Sequence, residues 1–303
     1  MRVGVTGSSG FIGTALVAAL RQRGDEVVRF VRPGATTSDA PVIRWDPSRG
    51  QIDESDLCGI GGFDAVVNLA GAGVGDHRWT EQRKKIVLNS RVASTRLLVE
   101  ALGSLPDGTA YLASGSAIGI YGARRAEPVD ESATLGNDFL ADVCQAWEAA
   151  ALPLVSKGAK VSLLRTGIVL SASGGVLKRQ LPLFRYGLGG KLSNGQQIMS
   201  ALSLVDEVRA ILWSIDHQID GPINLGALAV TNAAFTSAVA QALHRPALAH
   251  VPAVVLRLVL GAELTEGAVL ASQNVVARVL RESGFTFAQS DLSSIIESAL
   301  SRA

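Results

Sequence analysis

The chain of 303 residues carries 28 Lys plus Arg against 27 Asp plus Glu, which gives a formal net charge of +1. This balance leaves no excess positive charge for holding a polyanion, so we expect no nucleic-acid partner. Hydrophobic residues at 48% and charged residues at 18% predict a well-buried globular fold and exclude a disordered chain.

Cysteine usage and hydropathy indicate where the protein works. Cys58 and Cys144 stand far apart without a CxxC pair, and the four histidines lack metal-ligand spacing, so we expect neither a disulfide framework nor a metal site. Glycines interrupt the apolar N-terminal stretch, which argues against an export signal, and no apolar run approaches the roughly 20 residues that span a bilayer. We predict a cytoplasmic protein with no membrane partner.

Short β-rich runs alternate with longer helical patterns in the first part of the chain. The patterns predict strands at 2–6, 26–31, 65–69, 109–113 and 161–166, and helices at 11–23, 80–102 and 138–157. Strands that are almost wholly apolar, such as 65–69, are typical of a parallel sheet covered by helices on both faces. The predicted fold class is therefore α/β, a doubly wound parallel sheet (Rossmann).

The pattern changes after residue 166. Residues 167–195 are rich in glycine and leucine without a clean period, which predicts a loop-rich substrate region. A helix start near 203–216 and a short strand at 222–225 follow, and two or three helices are predicted from 231 onwards. We assign 1–170 to a nucleotide-binding domain, to which 200–226 returns. Residues 171–199 and 227–303 form the smaller, mostly helical substrate and C-terminal region.

A glycine-rich turn, Thr6-Gly7-Ser8-Ser9-Gly10-Phe11-Ile12-Gly13, lies between the first predicted strand and the first predicted helix. Glycines there permit a tight turn and a close approach of the backbone to a pyrophosphate, and the helix N-terminus offers N–H groups to the anion. The alternative is that these glycines serve only the turn itself. The flanking strand and helix favour a dinucleotide site.

The end of the second strand selects between cofactors. An NAD site normally has an acidic residue there for the ribose 2′-hydroxyl, whereas this strand ends Arg29-Phe30-Val31-Arg32. Arginine matches a 2′-phosphate, so the sequence favours NADP(H). Alternatively, Arg29 and Arg32 are solvated edge charges and Asp46 contacts the adenosine.

These motifs together resemble the extended short-chain dehydrogenases/reductases, the nucleotide-sugar epimerases and their relatives. The resemblance covers nearly the whole chain and extends to an atypical subgroup usually called "epimerase family protein". It rests on the glycine turn and on 68–71 (NLAG), 114–116 (SGS), 120–122 (IYG) and 165–170 (RTGIVL). The subgroup is indicated by 77–80 (HRWT), 90–91 (SR), 146–148 (AWE), 182–190 (PLFRYGLGG) and the tail from 244 to 285.

The resemblance implies a set of site residues. The turn would wrap the pyrophosphate, the end of the second strand would bind the adenosine phosphate, and 69–71 would form the back of the cofactor pocket. Arg91 stands where many extended members have asparagine, and Ser116 stands at the place of the catalytic serine. The cofactor-binding set is Gly7, Ser9, Gly10, Phe11, Ile12, Val31, Arg32, Leu69, Ala70, Gly71 and Arg91.

One departure from the family affects the chemistry. The superfamily uses a Tyr-x-x-x-Lys pair, and alignment on Glu148 places Leu140 and Cys144 at these two positions. Leucine cannot transfer a proton, and a thiol cannot supply a fixed positive charge. If a substitute exists, Ser116 and Tyr121 are the predicted catalytic residues.

Two further groups have ordinary explanations. Cys144 would be a small buried hydrophobe and Glu148 a solvated helix residue, while Asp138 would be a charge at a helix N-terminus. The run Arg83-Lys84-Lys85 is interpreted as the wet face of a helix.

Three functions remain open from the sequence. The first is an NADP(H)-binding epimerase or oxidoreductase for a small polar substrate such as a sugar nucleotide. The second is a non-catalytic NADP(H)-binding regulatory protein, and the third is a relic without cofactor, which the undamaged glycine turn disfavours. The substrate and the oligomeric state do not follow from the sequence.

Overall fold

The strands alternate with helices along most of the chain in a computed structural model, which describes residues 1–35, 41–123 and 127–301. Its strands are β1 (Arg2–Thr6), β2 (Glu26–Val31), β3 (Val42–Asp46), β4 (Gln51–Ile52), β5 (Ala65–Asn68), β6 (Tyr111–Ala117), β7 (Pro128–Val129), β8 (Lys160–Thr166), β9 (Ile168–Leu170), β10 (Gly190–Leu192), β11 (Ile198–Ser203), β12 (Gly221–Leu225), β13 (Leu228–Thr231), β14 (Ala249–Val251) and β15 (Asn274–Val275).

The α-helices of the described ranges vary from three to 23 residues. They are α1 (Phe11–Arg23), α2 (Glu54–Cys58), α3 (Glu81–Gly103), α4 (Phe139–Ala151), α5 (Gly175–Arg185), α6 (Leu204–Asp216), α7 (Asn232–Ala242), α8 (Ala253–Leu260), α9 (Ala262–Leu264), α10 (Arg278–Glu282) and α11 (Leu292–Leu300). Two 3₁₀ helices span Ile118–Tyr121 and Leu152–Lys157, and a π-helical turn spans Thr265–Val269.

The main sheet has eight strands in the order β12-β8-β6-β5-β1-β2-β3-β4. All neighbours pair in parallel except β3 and β4, which are antiparallel. The central strand β5 is buried along its whole length, as expected for a sheet with helices on both faces. This arrangement confirms the predicted doubly wound α/β fold.

The two faces of the sheet bury separate apolar cores. On one face, α1 and α6 contribute Leu16, Leu20 and Ile211 to a core that continues into the C-terminal helices. On the other face, Leu98 and Leu102 of α3 pack with apolar side chains from the neighbouring strands. The carboxyl ends of the parallel strands therefore meet along one edge, where a ligand of an open α/β sheet binds.

Several predicted element bounds need correction. Strand β6 begins two residues later than predicted and continues to Ala117, because its pairing with β8 runs as far as Thr166. The predicted helix 138–157 is divided into α4 and a 3₁₀ helix with Pro153 in its first turn, since proline has no N–H for a continuing α-helix.

The second half of the chain contains more regular structure than predicted. The stretch 167–195 holds β9, α5 and β10, because Leu177, Leu181 and Phe184 give α5 a buried face. Instead of two or three helices after residue 231, the described residues form five α-helices and a π-helical turn. β9, β11 and β13 make a separate three-stranded sheet, whereas β12 joins the main sheet.

No helix within the described residues combines the length and the apolar character that a membrane span requires. The longest of them, α3, carries charged residues throughout.

Candidate functional site

The glycine-rich turn connects β1 to α1 at the carboxyl edge of the sheet. Gly7 adopts a φ of 62°, in the left-handed region, and a Cβ there would lie 2.6 Å from the carbonyl oxygen of Leu69. A Cβ on Gly13 would lie 2.2 Å from the carbonyl oxygen of Gly7, so helix and turn pack too closely for a side chain. Both glycines are required by the backbone.

The N-terminus of α1 opens directly from this turn. Gly10 is its N-cap, and among the described residues no side chain caps it, so the first-turn N–H groups are not satisfied by a capping side chain. Ser9 and Gly10 are exposed, whereas Phe11 and Ile12 are partly buried. The Phe11 ring packs so closely on Gly174 that a Cβ there would lie 2.2 Å from it. The turn can therefore receive an anion at Gly10.

Thr6 holds the ends of β1 and β5 together. Its hydroxyl donates to Asn68 Oδ1 at 2.8 Å and accepts from the backbone N–H groups of Leu69 and Ala70 at 3.0 and 3.2 Å. This fixes the backbone after β5 against the glycine turn. Ala70 and Gly71 thereby face a groove that begins at Gly7.

This groove has a volume of about 920 Å³ and crosses the carboxyl ends of β2, β1 and β5. It is lined by Gly7, Ser8, Ser9, Arg29, Phe30, Val31, Arg32, Ala35, Trp45, Pro47, Ser48, Ala70, Gly71, Ala72, Gln82, Lys85, Ile86, Asn89, Ser90, Ala93 and Ser94. Six of the 11 predicted cofactor residues line it: Gly7, Ser9, Val31, Arg32, Ala70 and Gly71. The other five, Gly10, Phe11, Ile12, Leu69 and Arg91, are not among its lining residues.

Two arginines stand where the groove meets the end of β2. Arg29 donates from Nε to Ser8 Oγ at 3.1 Å, which links it to the glycine turn. Arg32 is exposed, and its Nη1 lies 3.5 Å from Asp46 Oδ1. Hydrogen bonding from Ser48, with the nearby arginines, lowers the pKa of Asp46. Asp46 also lies 3.7 Å from Arg49 Nε through Oδ2, so two guanidinium groups share this carboxylate.

The wall formed by α3 was missed by the sequence analysis. Gln82, Ile86, Asn89 and Ala93 recur at intervals of three or four residues, so one face of α3 lines the groove. That spacing was present in the sequence, but its mixture of polar and apolar residues has no distinctive chemistry.

The basic run Arg83-Lys84-Lys85 on α3 was predicted to be a solvated helix face, but two of its side chains bind other segments of the chain. Arg83 donates to the carbonyl oxygen of Gly73, and its Nη2 lies 3.7 Å from Asp76 Oδ2. Lys84 Nζ lies 3.0 Å from Glu263 Oε2, and Lys85 lines the groove. Two of these cations therefore hold other segments in place, because the chain folds back over α3.

Ser116 lies near the end of β6, where its hydroxyl donates to Glu148 Oε1 at 2.7 Å. Glu148 also binds Arg165 through both oxygens, at 2.9 Å from Nε and 3.0 Å from Nη2. All three side chains are buried. The prediction of Glu148 as a solvated helix residue is therefore wrong: it turns inward because Arg165 needs a counter-ion.

Tyr121 is at the end of a 3₁₀ helix and is 1% exposed. Its hydroxyl donates to Asn224 Oδ1 at 2.7 Å and accepts from Arg165 Nη1 at 2.9 Å. Burial raises its pKa. Ser116 and Tyr121 are thus linked through Glu148 and Arg165 in one buried hydrogen-bonded chain.

Leu140 and Cys144 occupy adjacent turns of α4 and approach Gly119, where a Cβ would lie 3.4 Å from Leu140 Cβ and 3.9 Å from Cys144 Sγ. Cys144 is buried, as predicted, and burial raises the pKa of its thiol to about 12. The thiol is therefore neutral at pH 7. Asp138 is the N-cap of α4 and accepts from the Ala141 N–H, which agrees with its predicted place at a helix N-terminus.

A second cavity of about 350 Å³ lies beside Leu140. Trp79 and Phe139 form an edge-to-face pair in its wall with ring centroids 4.9 Å apart. The lining residues are Trp79, Ala123, Asp138, Phe139, Leu140, Glu263, Glu266 and Gly267. This cavity is bounded by the nucleotide-binding part and by the C-terminal region. Within the described ranges, no group of His, Cys, Asp and Glu could hold a metal ion.

Comparison with family models gives two matches. Residues 3–144 match the model of the NAD dependent epimerase/dehydratase family, and residues 251–299 match a domain of unknown function, DUF1731. An epimerase family protein of Mycobacterium leprae is 40% identical over 302 residues, covering 99% of this chain and 96% of that relative. An epimerase family protein of Staphylococcus haemolyticus is 33% identical and covers 95% of each chain.

Solved structures show the same fold. Human epimerase family protein SDR39U1 (isoform 2), crystallised with NADPH, has a TM-score of 0.87 and 29% identity over 99% of both chains. A nucleoside-diphosphate sugar epimerase of Corynebacterium glutamicum has a TM-score of 0.78 and 31% identity, and the match covers 99% of this chain but 58% of that one. The predicted family resemblance is confirmed.

Proposed function

This chain belongs to the NAD dependent epimerase/dehydratase family, and we propose that it binds NADP(H) and acts on a small polar substrate without the usual Tyr-x-x-x-Lys pair. The observation that carries the proposal is the groove that joins the glycine turn to Arg29 and Arg32. A structure crystallised with NADPH is among those that share this fold, which supports the choice of cofactor.

The residues present fit a dinucleotide phosphate. Gly7 and Gly13 bring the turn close to α1, and a Cβ on Gly10 would already lie 3.1 Å from the carbonyl oxygen of Gly7. A pyrophosphate can therefore approach the α1 N-terminus only because these positions lack side chains. Arg29 and Arg32 would hold the 2′-phosphate at the end of β2, in competition with Asp46 for Arg32.

NADPH supplies a hydride equivalent when it is bound. Ser116 stands on the side of the sheet where the second half of a dinucleotide would lie, and its hydroxyl hydrogen is given to Glu148. Its oxygen is then an acceptor, so we expect Ser116 to orient a substrate hydroxyl. Donation to a substrate carbonyl requires the serine to leave Glu148. Tyr121 would act through Arg165 and Glu148, by holding that pair in place.

The cavity beside Leu140 is the proposed substrate site. Asp138, Glu263 and Glu266 already bind the Ala141 N–H, Lys84 and Arg257. Each carboxylate can accept further hydrogen bonds, and aromatic faces pack on C–H surfaces, so the cavity suits a ligand rich in hydroxyl groups. Sugar nucleotides remain candidates within this class.

Turnover with a substrate panel tests the enzymatic part of the proposal. Reduction of NADP⁺ would be followed with nucleotide sugars and free sugars, oxidation of NADPH with small carbonyl compounds, and formation of epimers, which consumes no cofactor, by product chromatography, for the wild type and for Ser116→Ala. We expect slow turnover in the wild type, since a positioned acid or base contributes roughly 10²- to 10⁴-fold in rate. We expect turnover to be lost in Ser116→Ala while NADPH binding is retained. Unchanged turnover in that variant would remove Ser116 from the mechanism.

The second candidate is a non-catalytic NADP(H)-binding regulatory protein. The observation that favours it is the engagement of both predicted catalytic hydroxyls, Ser116 and Tyr121, in a buried network. Tight NADPH binding with no turnover on the whole panel would support this function over the enzyme.

A further inference from the structure

An apolar patch covers part of the C-terminal region. Of the 13 large apolar side chains that are exposed among the described residues, eight come from two short segments, 183–188 and 248–259. Exposed apolar residues that are scattered singly are ordinary, whereas a concentration of them marks a surface that meets a protein or a membrane. The apolar patch consists of Leu183, Tyr186, Leu188, Leu248, Val254, Val255, Leu258 and Val259.

The two segments are joined by a small sheet. β10 follows the first segment and pairs in parallel with β14, which lies in the second, with Gly190 opposite Ala249. Just before these strands, a Cβ on Gly187 would lie 3.5 Å from Pro246 Cγ. The chain that leaves α5 is therefore in contact with the chain that enters β14.

One loop also binds both helices of the patch. Arg78 donates to the carbonyl oxygens of Leu258 and Val259, at the end of α8. Arg179 of α5 donates to the carbonyl oxygen of Gly75, three residues before Arg78. The two segments are thus held together at both ends and form a single surface.

α8 gives the apolar patch its shape. Leu256 is the one buried side chain of this eight-residue helix. The four apolar residues at 254, 255, 258 and 259 lie on one face and are 44% to 69% exposed. A protein partner would need a groove shaped to receive such a protruding face, whereas a lipid bilayer requires no complementary shape.

The charge around the apolar patch is positive. Residues 175–194 and 243–260 contain six Lys or Arg and no Asp or Glu. Two of the six have carboxylate partners, since Arg179 binds Asp76 and Arg257 binds Glu266. The other four are exposed and contact no carboxylate within the described residues: Lys178, Arg185, Lys191 and Arg245.

This combination decides between the possible occupants. Aliphatic side chains beside uncompensated cations match a membrane surface with anionic headgroups. A second copy of the chain fits less well, because a symmetric contact would place the same cations opposite each other. Tyr186 is 82% exposed, and tyrosine is enriched where protein meets the boundary between membrane and water.

We propose that the apolar patch docks on the surface of a bilayer that contains anionic lipid. The aliphatic side chains of α8 enter the boundary between headgroups and acyl chains, and the four cations bind the lipid phosphates. The sequence predicted no membrane partner because no apolar run spans a bilayer, but a surface contact requires no such run. The docked surface adjoins the proposed substrate site, because Arg257 of α8 pairs with Glu266, which lines the cavity beside Leu140.

Co-sedimentation of the full-length chain with lipid vesicles tests the proposal. One set of vesicles contains phosphatidylcholine alone, and the other contains phosphatidylcholine and phosphatidylglycerol in equal amounts. We expect binding to the mixed vesicles, weakening as salt is added, and little binding to phosphatidylcholine alone.

Two double variants separate the apolar and the electrostatic contributions. Val254→Gln with Leu258→Gln removes apolar contact without a change of charge and should weaken binding to the mixed vesicles by about tenfold or more. Arg185→Gln with Lys191→Gln removes two cations and should weaken it by roughly 10- to 30-fold.

Matched controls come from exposed residues at the amino end of β8, outside the apolar patch. Leu152→Gln with Val155→Gln and Lys157→Gln with Lys160→Gln should both bind vesicles like the wild type. Thermal melts check that every variant is folded.

Three results would overturn the proposal. The first is a wild type that does not bind the mixed vesicles, and the second is an equal loss of binding in the patch variants and the control variants. The third is a dimer of the wild type in sedimentation velocity that Val254→Gln with Leu258→Gln dissociates, because the apolar patch would then belong to a second copy of the chain.

Discussion

Glu207 is a buried carboxyl group that makes the stability of the fold depend on pH. It lies in the first turn of α6 and is 0% exposed. Oε1 accepts from the Thr166 hydroxyl at 2.9 Å, and Oε2 has no hydrogen-bond partner within the described residues. Burial raises the pKa of Glu207 from 4.5 to about 8, against the lowering effect of the Thr166 hydrogen bond.

The sign of the effect follows from proton binding. Between pH 4.5 and about 8 the folded protein holds a proton on Glu207 that the unfolded chain has released. Stability therefore falls as pH rises through this window, by about 1.4 kcal/mol per pH unit for this group alone, and levels off above it. Across the whole window the loss is about 3 to 5 kcal/mol. A Glu207→Gln variant keeps an acceptor for Thr166 and cannot ionise, so it should avoid this loss.

Urea unfolding of wild type and Glu207→Gln, followed by tryptophan fluorescence between pH 4.5 and 9, measures the difference in free energy of unfolding. The free energy of unfolding of the variant should rise relative to that of the wild type as the pH increases, and the difference should reach a plateau near pH 8. Glu100→Gln, on the exposed face of α3, is the matched control. Its free energy of unfolding should depend on pH in the same way as that of the wild type. A difference in free energy of unfolding between Glu207→Gln and wild type that stayed constant across the range would show that Glu207 does not have a raised pKa in the folded protein.

Further variants test the turn and the buried network. Gly10→Val should abolish NADPH binding with little change in Tm, because the side chain would block the approach of the pyrophosphate to the backbone. Calorimetric titration and a thermal melt measure the two quantities. A folded variant with wild-type affinity would show that the phosphate site lies elsewhere. Glu148→Gln should lower the free energy of unfolding by about 3 to 5 kcal/mol, since Arg165 would lose its buried counter-ion. The double variant Glu148→Leu with Arg165→Met should recover much of the lost free energy of unfolding in urea titrations. If it were as unstable as Glu148→Gln, an unpaired charge would not be the cause.

Much of the nucleotide-binding half could be predicted from local pattern. The bounds of β1, β2 and α1 agree with the sequence prediction because apolar runs bounded by glycine leave few alternatives. Beyond residue 166 the prediction was poorer. There α5 was read as loop, because Gly174, Gly175 and Pro182 obscure a helix whose buried face becomes evident only once it packs on the first core.

The candidate site also contains features that could be predicted from the sequence and features that could not. The glycine turn and Arg32 could be identified because their chemistry requires particular residue types at particular places in a strand-turn-helix unit. The inward position of Glu148 could not, because it depends on Arg165 and Ser116 from distant strands. Burial of this kind is a tertiary property that residue spacing on one helix does not encode.

We propose that the groove selects NADP(H) through Arg29 and Arg32, and the ratio of the dissociation constants for NADH and NADPH measures this selection. Because Arg32 is exposed and shares Asp46, its loss alone should reduce the preference for NADPH by roughly tenfold or less. Removing both arginines in Arg29→Ala with Arg32→Ala should bring the ratio close to one while NADH affinity changes little. A wild type that binds NADH as tightly as NADPH, or a double variant that keeps the full preference, would show that these arginines do not select the cofactor.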